Sequence, residues 1–255
     1  MIPDKKVIVF DIDGTLTPSK SPITLEMAKL VQELMKQKMV VAISGASIKQ
    51  FQTQFLPLLL NDESILPFIQ NLKLLPTSGS QRFEYDKEKN EWVMTDKEPL
   101  GENIKTTAKK LLQEIINSEK YEIPPDPAGD LVEDRDTQIT FSGRGQLASV
   151  EEKTKWDPDR KKREKIKTVL EPELPDASIL INAYSSIDIL PKGFNKAVGL
   201  TRFLTNLGLD KSDALFVGDG LFPSGNDYSL YEAGFDTIAV KGPEETAQVI
   251  KKWIG

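Results

Sequence analysis

Short apolar segments alternate with amphipathic segments along the first part of the chain. Residues 7–10 and 39–43 are apolar runs, and residues 72–75 are apolar except for Lys73, as is typical of strands that are buried on both faces. Between these runs, residues 24–38 and about 48–56 carry apolar positions at helical spacing. Because a β-α-β-α-β order is the signature of parallel strands joined by crossover helices, this pattern predicts an α/β fold.

The pattern changes after about residue 82. Two alternating segments, 82–85 and 91–95, flank a polar turn and predict an antiparallel hairpin. An amphipathic helix is expected over about 104–116. The other elements predicted here are strands at 131–133, 137–141, 178–183 and 186–190, and a helix from Pro158 to about 170 that is capped by Asp157. This mixture predicts an α+β insertion over residues 83–187.

The opening pattern returns near Phe194. The predicted elements are a helix over about 195–207, a strand at 214–217, a short helix from about 226, a strand at 237–240 and a final helix opened by Pro243. Residues 1–82 and 188–255 are therefore predicted to form one Rossmann-like core, a parallel sheet with helices on both faces. The α+β insertion is expected to be a cap domain placed within that core.

Composition narrows the chemistry without changing this fold. The 255 residues carry a net charge of −6, and 39% of them are hydrophobic, which is ordinary for a globular protein. A negative chain favours no broad nucleic-acid surface, and no apolar run approaches the length of a membrane span. We therefore expect neither nucleic acid nor membrane as a partner. The first residues lack a signal-peptide core, so a cytoplasmic location is expected.

Two residue types are missing from the chain. Without Cys there is no disulfide, thiolate nucleophile or zinc–thiolate site, and without His there is no Ser-His-Asp triad and no imidazole base. Acid–base chemistry then falls to Asp, Glu, Lys or Tyr. Because carboxylate oxygens favour a hard cation, Mg²⁺ is the expected metal.

Two carboxylates follow the first predicted strand. Asp11 and Asp13 are separated by one residue and are followed by Gly14. Repulsion and desolvation make two such acids costly unless a cation or a reaction uses them. Ligands of parallel α/β sheets bind beyond the carboxyl ends of the strands, where these acids are expected. A tight Asp-x-Asp-Gly turn is the alternative explanation.

Other polar groups are expected at the same edge of the sheet. Besides Asp11 and Asp13, they are Ser44, Gly45, Lys192, Lys196, Asp219 and Asp227. Carboxylates, a hydroxyl, backbone N–H groups and a lysine around one point predict a phosphoryl-transfer site. Asp11 suits attack on phosphorus, Asp13 suits proton transfer, and Asp219 together with Asp11 suits a bound Mg²⁺.

Four segments of the chain resemble the four motifs of the haloacid dehalogenase superfamily, in their usual order. They are VFDIDGTLT, ISGAS, the lysine of GFNKAVGL, and VGDGLFPSGNDY. The insertion between the second and third motifs is similar to that superfamily's α+β type-two cap. The PSGND ending, WDPDRKKREK and SIDILPKG most resemble phosphomannomutases and related sugar-phosphate phosphatases. The resemblance covers nearly the whole chain.

The resemblance implies a role for each motif residue. Asp11 is the nucleophile, Asp13 is the acid/base and lends its carbonyl to Mg²⁺, and Ser44 binds the transferring phosphate. Lys196 is the charge-neutralising lysine. Lys192 is the competing candidate, placed second because Lys196 matches the motif spacing better. The implied metal ligands are Asp11, Asp13, Asp219 and Asp227.

The resemblance also places contacts to the sugar phosphate in the cap. These contacts are Arg135, Arg144, Ser186 and Asp188, and the further residues predicted to bind substrate are Arg163 of the cap and Gly45 and Lys192 of the core. An arginine fork suits the phosphate that does not react. Two alternatives stay open, an ordinary ion-pair network over 133–136 and a solvated helix face over 160–163. Between Phe141 and Trp156 the cap is shorter than in typical mutases.

Three functions are consistent with these residues. The leading one is a Mg²⁺-dependent, phosphomannomutase-like transfer between positions 1 and 6 of a hexose, through a phosphorylated Asp11. The second is a sugar-phosphate phosphatase, in which water accepts the phosphate from the same intermediate. The third is a non-catalytic sugar-phosphate-binding protein, against which the retention of the whole motif set argues. A homodimer through the cap is implied by the resemblance alone.

Overall fold

The computed structural model describes residues 1–18, 21–182 and 184–255. These residues form two compact units. The first joins Met1–Lys97 to Lys196–Gly255, and the second is the contiguous segment Glu98–Asn195. The chain thus has an insertion within a core, but the boundaries lie at 97/98 and 195/196 rather than at 82/83 and 187/188.

Most elements lie close to their predicted positions. The strands are β1 (Val7–Phe10), β2 (Met39–Ile43), β3 (Leu72–Leu75), β4 (Gln81–Asp86), β5 (Glu91–Lys97), β6 (Val132–Asp134), β7 (Ile139–Ser142), β8 (Ala177–Asn182), β9 (Ser186–Pro191), β10 (Ala214–Gly218) and β11 (Asp236–Ala239). The α-helices are α1 (Leu25–Met35), α2 (Ile48–Gln50), α3 (Leu56–Leu59), α4 (Glu102–Ile116), α5 (Val150–Trp156), α6 (Lys161–Glu173), α7 (Lys196–Asn206), α8 (Tyr228–Glu232) and α9 (Pro243–Ile254). The 3-10 turns are Glu63–Asn71, Thr77–Gly79, Glu119–Tyr121 and Lys211–Asp213.

The sheet of the first unit has the strand order β11-β10-β1-β2-β3-β4-β5. The strands from β11 to β3 pair in parallel. The last residue of β1, Phe10, pairs with Val217 on one side and with Ala42 on the other. The chain segments that leave β1, β2 and β10 therefore emerge side by side at one edge of the sheet.

Alternate residues of the central strands pack on opposite faces of this sheet. Ile8 and Phe10 belong to the apolar cluster that contains residues of α1 and α9. Val7 and Val9 belong to a second cluster that contains residues of α7. This two-sided burial explains why the parallel strands are continuous apolar runs rather than alternating ones.

The hairpin of β4 and β5 extends this sheet, although its alternating pattern predicted a place in the insertion. Strand β4 pairs antiparallel with β3, with Leu74 opposite Phe83. Phe83 is buried in the same cluster as the strands of the core. Antiparallel pairing with β3 is at least as stable as parallel pairing, and it buries Phe83 in the core, so the local hairpin pattern does not mark a domain boundary.

The second unit consists of an antiparallel sheet in the order β6-β7-β9-β8 and the helices that cover it. Its apolar cluster combines Ile139 and Phe141 of β7, Ile187 and Ile189 of β9, and residues of α4 and α6. Because β9 belongs to this sheet, the unit extends past the boundary predicted at residue 187. The strand predicted at 178–183 corresponds to β8, and residue 183 lies outside the described residues.

Two helical regions differ from their predictions. The helix expected over about 48–56 is divided into α2, a π-helical turn at Phe51–Phe55, and α3. Pro57 has no N–H to donate, which interrupts the α-helical ladder there. In the second unit, α6 begins at Lys161, so Pro158 is not its first residue. Asp157 still accepts hydrogen bonds from the N–H groups of Lys162 and Arg163, at 3.0 and 3.2 Å.

No helix in the described ranges combines the length and the apolar character that crossing a membrane requires.

Candidate active site

The first site residue, Asp11, follows β1 and is buried. Its N–H donates to the carbonyl oxygen of Val217 at 3.1 Å, which fixes the start of the loop to the end of β10. One oxygen of its carboxylate accepts a hydrogen bond from Lys196 Nζ at 2.6 Å. The loop is also a tight turn, in which the Gly14 N–H donates to the carbonyl of Thr17 at 2.8 Å. Backbone hydrogen bonds close this turn, and the Asp11 carboxylate instead accepts a hydrogen bond from Lys196.

Lys196 lies in the first turn of α7, and its side chain is 3% exposed. Its ammonium group contacts two carboxylates, Asp11 at 2.6 Å and Asp227 at 2.5 Å. The second oxygen of Asp227 accepts a hydrogen bond from the Gly220 N–H at 3.0 Å. Lys192, the competing lysine, lies in the second unit beside Glu171 and Ser178, where it helps to line a small cavity.

Asp219 directly follows β10 and is half-buried. Carboxylate oxygens of Asp11, Asp219 and Asp227 all lie within 4.8 Å of one another. The structure therefore brings together four of the predicted residues, Asp11, Lys196, Asp219 and Asp227. Asp13 lies two residues beyond Asp11 in the same loop and is half-buried.

Ser44 and Gly45 follow β2 at the same edge. Ser44 is buried, and its hydroxyl accepts a hydrogen bond from the Ala46 N–H at 3.1 Å. The Ser44 N–H donates to Leu75, and the Ser44 carbonyl accepts from Ser78, so the loop is tied to the end of β3. In that neighbouring turn Thr77 and Ser78 adopt the left-handed region, with φ of 52° and 58°. Strained backbone of this kind is typical of functional loops that their surroundings hold in place.

The cluster has more negative than positive charge. Burial raises the pKa of Asp11 well above its ordinary value, and the neighbouring carboxylates Asp227 and Asp219 add to this rise against the opposing effect of Lys196. Burial, followed by Asp227, also raises the pKa of Asp219. Burial alone would lower the pKa of Lys196, but Asp11 and Asp227 outweigh it and raise that pKa, so the lysine stays protonated.

These residues fit a magnesium ion. Three carboxylates at one point supply the hard oxygen ligands that Mg²⁺ prefers. Lys196 neutralises one negative charge of the three carboxylates, and a divalent cation would neutralise the remainder. The residues that would hold it are Asp11, Asp219 and Asp227.

The second unit carries polar side chains on one face of its sheet. Thr140 of β7 and Asp188 of β9 alternate with the apolar residues of the opposite face. The Thr140 hydroxyl donates to Asp188 at 2.8 Å, and the Asn182 amide donates to the other oxygen of Asp188. Ser186 lies on the same face, opposite Ser142. This face brings together two predicted substrate-binding residues, Ser186 and Asp188.

The three predicted arginines of the second unit differ in their partners. Arg163 is buried, and its Nε donates to Asp157 at 2.6 Å, as part of the contacts that begin α6. Arg135 donates to Glu133 through two nitrogens, at 2.9 and 2.6 Å. Arg144 has longer ion pairs, 3.5 Å to Asp126 and 3.4 Å to Glu152. The basic segment 160–163 is therefore not a uniformly solvated face, because Arg163 is internal.

Sequence reasoning did not single out three residues that contact the site residues. They are Thr15, whose hydroxyl contacts Asp219, and Asn182 and Thr140, which contact Asp188. Thr15 lies inside the DGT segment, where a hydroxyl close to two acids was an available signal. The contacts of Asn182 and Thr140 depend on strand register, which spacing along the chain does not reveal.

The chain is similar in sequence to phosphomannomutases over most of its length. A sequence profile described as "Eukaryotic phosphomannomutase" matches residues 27–254. The phosphomannomutase of Spinacia oleracea is 30% identical over 251 residues, which cover 94% of this chain and 92% of that protein. A probable phosphomannomutase of Caenorhabditis elegans is 28% identical over 258 residues, which cover 97% of this chain and 94% of that protein.

Solved structures are similar in fold. A truncated IMP-nucleotidase of Plasmodium falciparum matches with a TM-score of 0.71 and 17% identity, over 98% of this chain and 68% of that chain. A haloacid dehalogenase-like hydrolase from Bacteroides thetaiotaomicron matches with a TM-score of 0.60 and 16% identity, over 97% and 99%. The predicted α/β fold with an inserted α+β unit, of the haloacid dehalogenase type, is confirmed.

Proposed function

Because this chain belongs to the eukaryotic phosphomannomutase family, we propose that it interconverts mannose 6-phosphate and mannose 1-phosphate. It is an enzyme of the haloacid dehalogenase phosphotransferase and phosphatase type. The observation that carries the proposal is the buried contact of Asp11 with Lys196, beside Asp219 and Asp227. A carboxylate held against a cation in this way is suited to be phosphorylated.

In the first half-reaction Asp11 is the proposed nucleophile. A carboxylate oxygen of Asp11 attacks phosphorus, the bond between phosphorus and the sugar oxygen breaks, and the phosphoryl group moves onto Asp11. Asp13, in its protonated form, gives its proton to the departing sugar oxygen. Lys196 lies 2.6 Å from Asp11 and stabilises the negative charge of the phosphoryl group, and Ser44 donates a hydrogen bond to it.

In the second half-reaction Asp13 works in the opposite direction. It accepts the proton of a hydroxyl group, whose oxygen attacks the phosphorylated Asp11 and releases the free carboxylate. In a mutase the acceptor is a hydroxyl of a hexose monophosphate, whereas in a phosphatase it is water. Bound Mg²⁺ would reduce the repulsion between the carboxylate nucleophile and the phosphate dianion.

In the second unit, Arg135, Arg144, Ser186 and Asp188 are the proposed ligands of the sugar phosphate. Arg144 suits the phosphate that does not react. Its ion pairs with Asp126 and Glu152 are long, at 3.5 and 3.4 Å, so a phosphate competes with these carboxylates for the guanidinium group. Gly45, Arg163 and Lys192 were predicted as further ligands. The cytoplasmic location and the homodimer through the insertion also remain predictions.

Substitution of Asp11 tests the nucleophile. We expect Asp11→Asn to lower the turnover of p-nitrophenyl phosphate by about 10³-fold or more, because the amide cannot form the phosphorylated intermediate. The exposed Asp176→Asn is the matched control and should keep the wild-type rate. An Asp11→Asn variant that is as active as the wild type would contradict the assignment.

A product assay distinguishes the mutase from the phosphatase. The protein is incubated with mannose 1-phosphate, MgCl₂ and a trace of a hexose bisphosphate, and the products are followed by ³¹P NMR. A mutase accumulates mannose 6-phosphate with little inorganic phosphate. Release of inorganic phosphate without mannose 6-phosphate would replace the mutase proposal by the phosphatase.

A further inference from the structure

Thr15 is buried in the loop that follows β1, and its hydroxyl makes two hydrogen bonds to one residue. The Thr15 Oγ1 donates to Oδ1 of Asp219 at 3.1 Å. The same oxygen accepts from the backbone N–H of Asp219 at 3.0 Å. One hydroxyl therefore holds both the main chain and the carboxylate of Asp219, and the plane of that carboxylate is restricted relative to its own backbone.

Gly14 restricts the same carboxylate from another side. Gly14 has φ of 85°, and a Cβ at this position would lie 2.4 Å from Oδ2 of Asp219. The carboxylate thus packs directly on the loop backbone, in a space that another residue would fill. Together Gly14 and Thr15 restrict the group, since the hydroxyl of Thr15 bonds to one oxygen and the missing side chain of Gly14 leaves room for the carboxylate.

Asp219 is held differently from the other two acids of the cluster. Lys196 contacts Asp11 and Asp227, and these contacts orient their carboxylates. For Asp219 the corresponding side-chain contact comes from a neutral hydroxyl. A neutral donor orients the carboxylate without cancelling its charge, so the full charge stays available to a cation.

We propose that Thr15 is a positioning residue that orients Asp219 for Mg²⁺. The inference rests on the proposed function, because it takes the Asp11, Asp219 and Asp227 cluster as the Mg²⁺ site. Thr15 contacts neither the phosphorus nor the sugar in this scheme, and it acts through Asp219. Loss of its hydroxyl leaves the Asp219 N–H and Oδ1 without this partner, so the carboxylate must be ordered when the cation binds.

The test measures binding of Mg²⁺ alone, by isothermal titration calorimetry with MgCl₂. Thr15→Val keeps the shape and removes the hydroxyl, and we expect its Kd for Mg²⁺ to rise about 10-fold or more. Thr15→Ser restores the hydroxyl and should stay within about threefold of the wild type. Thr17→Val is the matched control, because Thr17 is also buried in this loop but donates to the carbonyl of Ile12 at 3.3 Å.

Thermal unfolding without Mg²⁺ shows which variants are folded, so that the Kd for Mg²⁺ is compared only among folded proteins. If Thr15→Val does not fold, Thr15→Ala replaces it, since alanine also removes the hydroxyl and has no hydrogen-bonding group in its side chain. A Kd that is equal in the Val or Ala variant and in the Ser variant would overturn the role of Thr15, even if stability falls. Absence of Mg²⁺ binding by the wild type would instead overturn the proposed metal site.

Discussion

At the scale of single residues, burial governs the charged groups around Asp11. The side chains of Lys196, Asp11 and Asp227 are 3%, 2% and 0% exposed. A buried ion pair adds little net stability by itself, but removal of one partner leaves an uncompensated charge in the interior. Lys196 therefore has a structural effect as well as its proposed chemical one.

Lys196→Met should destabilise the protein by roughly 3 kcal/mol, because two carboxylates then lack their cation. The midpoint of urea unfolding, read by circular dichroism, measures this effect. Lys251→Met is the control, since Lys251 pairs with Glu26 on the surface, and its midpoint should not change measurably. Equal midpoints for both variants would show that the buried cluster is not held by Lys196.

The raised pKa values of Asp11 and Asp219 predict a pH dependence. A carboxyl group whose pKa is raised by folding stabilises the protein fully below its unfolded-state value, and this contribution is lost as pH rises through the folded-state value. A cation binds the deprotonated groups, so protons compete with it at lower pH.

We therefore expect the rise in Tm on adding MgCl₂ to be larger at about pH 8 than at about pH 5. Differential scanning fluorimetry of the wild type, with and without MgCl₂, measures the difference at each pH. Asp11→Asn is a useful comparison because it removes one titrating group. A Tm shift that is independent of pH would mean that these carboxyl groups do not compete for Mg²⁺ and protons.

At the scale of elements, helix α7 and the turn at Thr77–Gly79 position Lys196. A Cβ on Gly199 of α7 would lie 2.5 Å from the carbonyl oxygen of Ser78 and 2.8 Å from Cα of Gly79. Since α7 begins at Lys196, this close approach places the lysine relative to the turn at Thr77–Gly79. The same turn bonds to the loop of Ser44.

Gly199→Ala should move the helix and lower both stability and kcat. Alanine gains about 1 kcal/mol in helix propensity, but overpacking against backbone costs about 1 to 3 kcal/mol. Urea unfolding and turnover of p-nitrophenyl phosphate measure the two effects. Thr205→Ala, at an exposed position of the same helix, is the control and should lower neither stability nor kcat. A Gly199→Ala variant that is more stable and fully active would refute this packing argument.

Some strands and helices were predicted correctly from the hydrophobic pattern of the sequence. The strands around Val9, Val41 and Phe216 are apolar throughout because both faces of the sheet are covered, and such runs are recognisable. The cap of α1 was equally clear, since Thr24 accepts from the N–H of Met27 at 3.2 Å. Helix α5 was missed although Ser149 and Glu152 form a capping box, because the segment is short.

At the scale of the whole molecule, each unit has its own apolar core. The second unit is a contiguous segment, Glu98–Asn195, and its cluster unites its sheet with α4 and α6. A segment of this kind contains the contacts that a domain needs in order to fold alone. On its polar sheet face, Asp188 accepts hydrogen bonds from Thr140 and Asn182 of the same unit.

Expression of residues 98–195 alone should therefore give a folded protein with a cooperative thermal transition, observed by circular dichroism. Leu112→Ala, at a buried core position, should lower the stability of this fragment by about 2 to 5 kcal/mol. Lys110→Ala, on the exposed side of the same helix, is the control and should leave the transition unchanged. A fragment without a cooperative transition would mean that the unit depends on the rest of the chain.

The sequence by itself determined the α/β class, the presence of an insertion and the acids that follow the strands. These features depend on local patterns, because buried parallel strands must be apolar and their carboxyl ends must share one edge. Asp11, Asp219 and Asp227 were recognisable for that reason, as was Lys196 by its motif spacing.

Tertiary structure alone decided the contacts that depend on strand register and on packing between distant segments. The assignment of β4 and β5 to the core depends on the pairing of Leu74 with Phe83. The hydrogen bond from Thr15 to Asp219 joins residues that are 204 positions apart. The hydrogen bond from Arg163 to Asp157 depends on where α6 begins. Such contacts arise from register and packing between distant segments, and hydrophobic periodicity reports only on near neighbours along the chain.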